Sequence, residues 1–178
     1  DKSSVMPFYP TSQRDRPAED MQLDIGHHVL TCNNDEERRL LGLWFDPRMN
    51  FHFFANLLVK RIRAFVNVFK YIRRMKLQFK RMLLVGAVIS RILFGATAYW
   101  ERLSTQDRDA IIAALGEVAR AACGAMPGTA SATALSECGL DDLPTFVNRH
   151  IMRVIEKALR LPEECQLRKM LLRRFPPA

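Results

Sequence analysis

The chain has 178 residues and a formal net charge of +8, and 48% of its residues are hydrophobic. This composition excludes disorder throughout the chain, because disordered chains contain few hydrophobic residues, and the length suits one domain with or without tails. The excess of positive charge indicates an anionic partner: nucleic acid first, then an acidic lipid surface, then an acidic protein.

The first fifty residues predict short strands. Residues 5–9 form an apolar run that Pro7 would confine to the edge of a sheet. Apolar residues alternate loosely over residues 21–31 around Gly26, which predicts a β-hairpin. A third apolar run, residues 40–45, predicts another strand, which would end at Pro47.

A basic and apolar segment follows. From residue 47 to residue 100 there are eleven Lys and Arg residues and no Asp or Glu. A stripe of helical spacing predicts a long amphipathic helix here, and another face of that helix carries cations. The apolar stripe is Phe54, Leu58, Ile62, Phe65, Phe69 and Ile72, and the basic face is Lys60, Arg63, Lys70 and Arg74. Such a face can meet either solvent or phosphates. The absence of acids favours phosphates, because a merely solvated helix mixes charges to form i,i+4 pairs.

Residues 82–100 contain a single charge, Arg91. By length this segment could be a membrane span, or it could be a buried helix of a globular core. Because a charge near the middle of a span is costly in lipid, we expect the buried helix. Gly86, Ser90 and Gly95 would allow close helix packing there.

The rest of the chain predicts helices with recognisable ends, so the expected fold is mainly α, an α+β arrangement with short N-terminal strands and about five to six helices. The predicted caps and stops are Ser104 with Asp107, Gly124, Thr129 or Ser131, Gly139, Asp142 and Pro162.

Four cysteines, at positions 32, 123, 138 and 165, form no Cys-x-x-Cys pair, and the histidines complete no zinc-ligand pattern. We therefore expect no metal and no cofactor. Unpaired thiols favour a reducing, intracellular compartment, the nucleus or the mitochondrion. Because no initiator Met precedes Asp1, we expect a processed or excised chain, or an interior start.

Six motifs follow one another between residues 2 and 143. They are Lys2-Ser3-Ser4-Val5-Met6-Pro7-Phe8, Leu40-Leu41-Gly42-Leu43-Trp44-Phe45-Asp46, Met49-Asn50-Phe51 before the basic helix at 55–74, Phe94-Gly95-Ala96 with Tyr99-Trp100, Arg120 with Gly124, and Leu135 with Gly139-Leu140. In this order and spacing they resemble the end of the palm and the thumb of reverse transcriptases from non-LTR retrotransposons. The chain departs from that pattern where Leu40 replaces an aromatic residue, Phe54 a His and Phe94 a Tyr.

The resemblance implies three regions: a palm-end-like β region at residues 1–50, a thumb-like basic helical domain at 51–143, and a C-terminal helical extension at 144–178. It implies that Leu41 and Gly42 form a primer-grip-like turn. The thumb helices would then track a template–primer duplex through its phosphates. The candidate phosphate contacts are Lys60, Arg61, Arg63, Lys70, Arg73, Arg74, Lys76, Lys80 and Arg81. Tyr71 and Phe79 lie among these cations and could stack on bases, although core burial is the expected use of Phe79.

The catalytic Asp-Asp turn that holds two magnesium ions in these polymerases has no counterpart here. The only Asp pair, Asp141-Asp142, stands at a predicted helix start, where an N-cap explains it. We therefore expect a non-catalytic, retrotransposon-derived module that binds RNA or an RNA/DNA duplex, alone or within a ribonucleoprotein such as an organellar ribosome. The alternatives are the thumb of an active RNA-directed DNA polymerase whose palm lies outside this chain, a protein-interaction subunit of a larger complex, and a membrane-associated subunit.

Overall fold

A β-hairpin lies at the start of the described chain. The computed structural model describes residues 22–25, 28–31, 38–40, 42–46, 49–162, 164–166 and 168–170. Gln22–Ile25 (β1) pairs antiparallel with His28–Thr31 (β2), which confirms the hairpin predicted around Gly26. The strand predicted at residues 5–9 and the end of the helix predicted after Pro162 lie outside the described residues.

The apolar run at residues 40–45 belongs to a second hairpin, so the prediction of one strand is wrong. Arg38–Leu40 (β3) pairs antiparallel with Leu43–Phe45 (β4), and Leu40 is the register partner of Leu43. A turn this tight needs a positive φ, which Gly42 adopts at 93° without the clash that a Cβ would cause. A run of apolar residues alone does not reveal where the chain reverses.

Asp46 organises the loop that leads from β4 into the first helix. Its carboxylate accepts hydrogen bonds from the amide N–H groups of Asn50 at 3.2 Å and Phe51 at 3.0 Å. Phe51 has a φ of 57°, which is uncommon for a residue other than glycine. Its ring is buried and stands edge-to-face against Phe45, with the ring centroids 5.4 Å apart. Burial of the Phe51 ring and the hydrogen bonds to the Asp46 carboxylate together stabilise this backbone conformation.

Seven α-helices follow in the described residues, which confirms the mainly α fold with short strands near its N-terminus. In chain order the elements are α1 (His52–Tyr71), α2 (Leu77–Leu83), a π-helical turn (Leu84–Ile89), α3 (Ser90–Leu93), α4 (Ala96–Tyr99), a 3-10 turn (Trp100–Arg102), α5 (Thr105–Cys123), α6 (Ser131–Glu137) and α7 (Leu143–Leu159).

The predicted apolar stripe of α1 packs chiefly against α5. Four of its six members are at most 4% exposed, and the other two, Phe65 and Ile72, are partly buried against the core. Since these residues recur every three or four positions, they share one side of the helix. The opposite side of α1 is therefore left to solvent.

The segment at residues 82–100 is bent and broken, so the prediction of one central helix is wrong in its geometry. The π-helical turn interrupts it, and helix α3 ends just before Gly95, whose φ is 70°. A Cβ on Gly95 would lie 2.6 Å from the Cδ1 atom of Leu43, so glycine allows β4 to approach here. After the break, the buried hydroxyl of Tyr99 donates a hydrogen bond back to the carbonyl of Ile92.

Burial of this segment is confirmed on one side only. Leu84, Val88 and Ile92 are fully buried, whereas Met82 is 65% exposed. No single helix among the described residues is long and apolar enough to cross a membrane. The helical stretch Leu77–Leu93 taken with Ala96–Arg102 meets the requirements of length and composition, but the two parts are bent by 41°.

The caps predicted for α5 and α7 are confirmed. The hydroxyl of Ser104 accepts the amide N–H of Asp107 at 3.1 Å, and α5 ends at Gly124 with a φ of 76°. The carboxylate of Asp142 accepts the amide N–H of Thr145 at 3.1 Å at the start of α7. Side-chain oxygens thus satisfy N–H groups that a helix start leaves without intrahelical partners.

The cap predicted for α6 is wrong. Ala130 occupies the cap position, with no side-chain hydrogen bond to the helix. The guanidinium of Arg120 on α5 instead donates to the Ser131 hydroxyl at 3.1 Å and to the Thr129 carbonyl at 3.2 Å. This arginine therefore joins the start of α6 to α5.

Candidate nucleic-acid interface

The predicted basic residues of α1 all point to solvent, but they are not equivalent. Lys60, Arg61 and Lys70 are exposed, and no side-chain partner is described for them. Arg63 is exposed as well, yet it forms a two-bond pair with Glu117 on α5, with Nε–Oε2 3.1 Å and Nη2–Oε1 3.0 Å. Its charge is already neutralised at that edge, so a phosphate would have to compete with Glu117.

The turn between α1 and α2 adds three exposed cations, Arg73, Arg74 and Lys76. Lys80, four residues after Lys76, does not join them. Its side chain is 7% exposed, and its ammonium donates a hydrogen bond to the carbonyl of Arg73 at 2.9 Å. A buried ammonium engaged in this way cannot reach a phosphate, so Lys80 is not part of the proposed interface.

Arg81 also has a partner inside the protein. Its Nη2 atom donates to the carbonyl of Gly139 at 2.8 Å and so ties α2 to the segment between α6 and α7. The side chain stays exposed, but its guanidinium is partly occupied. Six of the nine predicted contacts therefore remain exposed and without a described side-chain partner: Lys60, Arg61, Lys70, Arg73, Arg74 and Lys76.

All the Lys, Arg, Asp and Glu residues near these six in the sequence are basic, because no acid occurs between residues 47 and 100. Contacts between described side chains of opposite charge type include Arg63–Glu117 and Arg149–Asp141, with a His52–Asp107 hydrogen bond besides, and none of these three contacts includes any of the six. Cations that have no acidic partner within the protein attract anions from solution. The phosphates of a nucleic acid can take the place of those anions.

The turn at Gly42, for which the resemblance predicts a primer-grip-like role, lies beside a second basic feature. Gly42 borders a cavity of about 310 Å³ that also has Arg61, Arg91 and Phe94 in its wall. A Cβ on Gly42 would lie 3.1 Å from the Phe94 ring, so the turn and that ring are in close contact. Leu41 lies outside the described residues.

Arg91 and Phe94 are exposed residues of this cavity, and the sequence does not single them out as contacts. Arg91 is exposed, and its guanidinium carbon stands 5.1 Å from the centre of the Phe65 ring, which fixes its direction. Phe94 is 55% exposed. One feature of the sequence could have indicated that Arg91 is exposed. It is the only charged residue between residues 82 and 100, a segment otherwise expected to be buried.

Exposed aromatic rings accompany the cations at the end of α1. Tyr71 is 91% exposed. Phe79 is 54% exposed, so its expected burial in the core is wrong. The short helix α2 buries Lys80 and turns the neighbouring Phe79 outward, and spacing within so short a helix does not reveal which side faces the core.

One cluster combines Ser, Asp and His side chains without a catalytic arrangement. Asp107 accepts the Ser104 hydroxyl at 2.7 Å, and its other oxygen lies 2.8 Å from Nδ1 of His52. The serine is therefore bonded to the aspartate and not to the histidine, whereas a serine nucleophile needs the histidine as its base. The cluster caps α5 and ties the first turn of α1 to it.

The Asp141–Asp142 pair also has structural partners. Asp142 caps α7, and hydrogen bonds from Thr145 hold the pKa of its carboxyl below the usual range. Asp141 pairs with Arg149 at 3.1 Å. Among the described residues, no group of three or more His, Cys, Asp or Glu side chains is placed to hold a metal ion.

No protein-family model, curated protein or solved structure matches this chain. The likeness to reverse transcriptase thumbs therefore depends on the sequence motifs alone.

Proposed function

We propose that this chain is a non-catalytic nucleic-acid-binding module of the reverse transcriptase thumb type, which holds an RNA or RNA/DNA duplex by its phosphates. The observation that carries the proposal is the set of six exposed cations on α1 and the following turn, in a segment with no acid. Such contacts provide affinity and orientation without reading the base sequence.

The shape of α1 suits this role. The helix has 20 residues and is about 30 Å long, which is close to one turn of a nucleic-acid duplex. Its apolar side packs against α5, so the helix that carries the exposed cations is held on a rigid support. Lysine and arginine on such a support can face successive phosphates without any ordering of the backbone.

The motif order supports a thumb origin, either as part of a larger polymerase or as a subunit of a ribonucleoprotein. Binding is proposed and catalysis is not, because the chain contains no Asp-Asp turn of the polymerase kind. The competing function is a protein-interaction subunit whose basic side offsets acidic neighbours, and binding measurements separate the two.

The test compares affinities for a blunt RNA–DNA duplex over a range of salt concentrations, measured by fluorescence anisotropy. Six phosphate contacts predict that log K falls with log salt with a slope of about −5. Changing Lys60, Arg61, Arg73 and Arg74 together to Gln should reduce the size of that slope by about 4, roughly one for each contact.

The matched control removes the same four units of charge elsewhere. Arg153, Lys157, Arg160 and Lys169 are exposed on or after α7, and changing all four to Gln should leave the slope nearly unchanged. If both variants weaken binding equally, only net charge matters and the interface on α1 is wrong. If the unaltered protein binds no duplex, the proposed function is wrong.

A further inference from the structure

The turn between α1 and α2 forms an open cavity. Its volume is about 530 Å³, and its walls are Tyr71, Ile72, Arg73, Arg74 and Met75. Five successive residues form this cavity, and it is open to solvent. One tyrosine and two arginines thus border the same space.

Tyr71 has no structural task that explains its position. It is 91% exposed at the last residue of α1, and no ring pair among the described aromatic residues includes it. An aromatic ring this exposed offers a planar apolar face to a ligand. Every nucleobase has a π face of its own, so stacking on a tyrosine does not depend on the base.

The backbone of the turn is held in place before any ligand arrives. The amide of Ile72 donates to Val68 at 3.0 Å, and the amide of Met75 donates to Ile72 at 2.9 Å. The Lys80 ammonium donates a hydrogen bond to the carbonyl of Arg73 and so holds it in place. A pre-ordered turn lowers the entropy lost when a ligand binds.

We infer that this turn binds an unpaired nucleotide at the end of the duplex, with the base stacked on Tyr71 and with Arg73 and Arg74 holding the phosphates at the duplex end to which that nucleotide is joined. The inference rests on the proposed function, because the same chain must hold the adjoining duplex. It adds a preference for a junction between double-stranded and single-stranded nucleic acid, which phosphate contacts along α1 do not supply.

Charge and position favour a nucleotide over a lipid surface. Arg73 and Arg74 occupy the middle of the turn, and Tyr71 stands behind them at the helix end. Insertion of this turn into a bilayer would carry two guanidinium groups toward hydrocarbon, which is costly. A nucleotide joined to the duplex instead places its base on the ring, and the phosphates at the duplex end lie on the arginines.

The test uses the full chain with two ligands, a blunt RNA–DNA duplex and the same duplex with a single-stranded extension of a few nucleotides. The extension should strengthen binding by about tenfold, the effect of stacking one base. Tyr71→Leu keeps the apolar bulk but loses the planar face, so it should abolish this gain and leave blunt-duplex affinity unchanged. Tyr71→Trp should keep the gain. Because Tyr71 is exposed, both variants should fold.

A fluorescent adenine analogue in the extension gives a direct signal. Stacking on Tyr71 should quench it, and Tyr71→Leu should restore its emission. If the protein binds the blunt duplex but gains nothing from the extension, or if Tyr71→Leu keeps the gain, the inference is wrong while the proposed function stands. Failure to bind either ligand overturns both. Flotation with phosphatidylserine vesicles, without any extension-dependent gain, would assign the turn to a lipid surface instead.

Discussion

Lys80 is a cation that stabilises the fold, in contrast to the neighbouring cations proposed to bind nucleic acid. Its ammonium is buried and donates to the Arg73 carbonyl at 2.9 Å. A hydrogen bond from a charged group contributes about 1.5–3 kcal/mol, and burial of the charge offsets part of that. For Lys80→Met we therefore expect a net loss of about 1 kcal/mol in the free energy of unfolding, a fall in Tm of roughly 2–4 °C.

Lys76 is the matched control, one helical turn earlier and exposed. Lys76→Met should change stability by less than about 0.5 kcal/mol, because surface substitutions away from special contacts have small effects. It should, however, reduce the size of the salt slope of duplex binding by about 1, whereas Lys80→Met should leave that slope unchanged.

Thermal unfolding followed by circular dichroism measures the first property, and anisotropy titrations at several salt concentrations measure the second. The two variants should therefore show opposite patterns. If Lys80→Met is as stable as the unaltered protein and also lowers the slope, the ammonium reaches a phosphate and its buried role is refuted. If Lys76→Met leaves the slope unchanged, Lys76 does not belong to the interface.

Three further predictions concern the fold. Gly95→Ala should destabilise the protein by about 1–3 kcal/mol in thermal unfolding, because its φ is 70° and the new Cβ would lie 2.6 Å from Leu43; unchanged stability would contradict the close approach of β4. The Asp142 carboxyl has a lowered pKa in the folded state, so its cap stabilises the protein above the ordinary value of 3.8 and loses that effect as the pH falls through the folded-state pKa. Asp142→Ala should therefore reduce stability at neutral pH and make little difference in strong acid, and an equal loss at both would refute the charged cap. Burial raises the pKa of the Cys138 thiol to about 11, so iodoacetamide should alkylate it at pH 8 only after unfolding, as peptide mass mapping with and without denaturant would show.

Local pattern was enough for the features that depend on short stretches of chain. The stripe from Phe54 to Ile72 predicts α1 because helical spacing repeats many times over a long segment. Ser104 and Asp142 predict helix starts because capping involves residues three positions apart. These features involve residues that are close together in the chain, so the sequence pattern is enough to predict them.

Contacts between distant segments were not predictable in the same way. Arg63 and Glu117 are 54 positions apart, and only the packing of α1 on α5 brings them together. Phe79 is a core residue by type, yet the side of α2 that carries it faces solvent. In each case the outcome depends on how the helices pack.

The sequence by itself determined that the chain is mainly helical, with one long amphipathic helix in a segment that contains cations and no acids. Only the tertiary structure decided which of those charges are accessible. Lys76 and Lys80 are the same residue type four positions apart, but the turn folds back so that the Arg73 carbonyl lies over Lys80. An ammonium leaves water when a hydrogen-bond acceptor replaces its hydration, and the three-dimensional path of the chain determines where that acceptor lies.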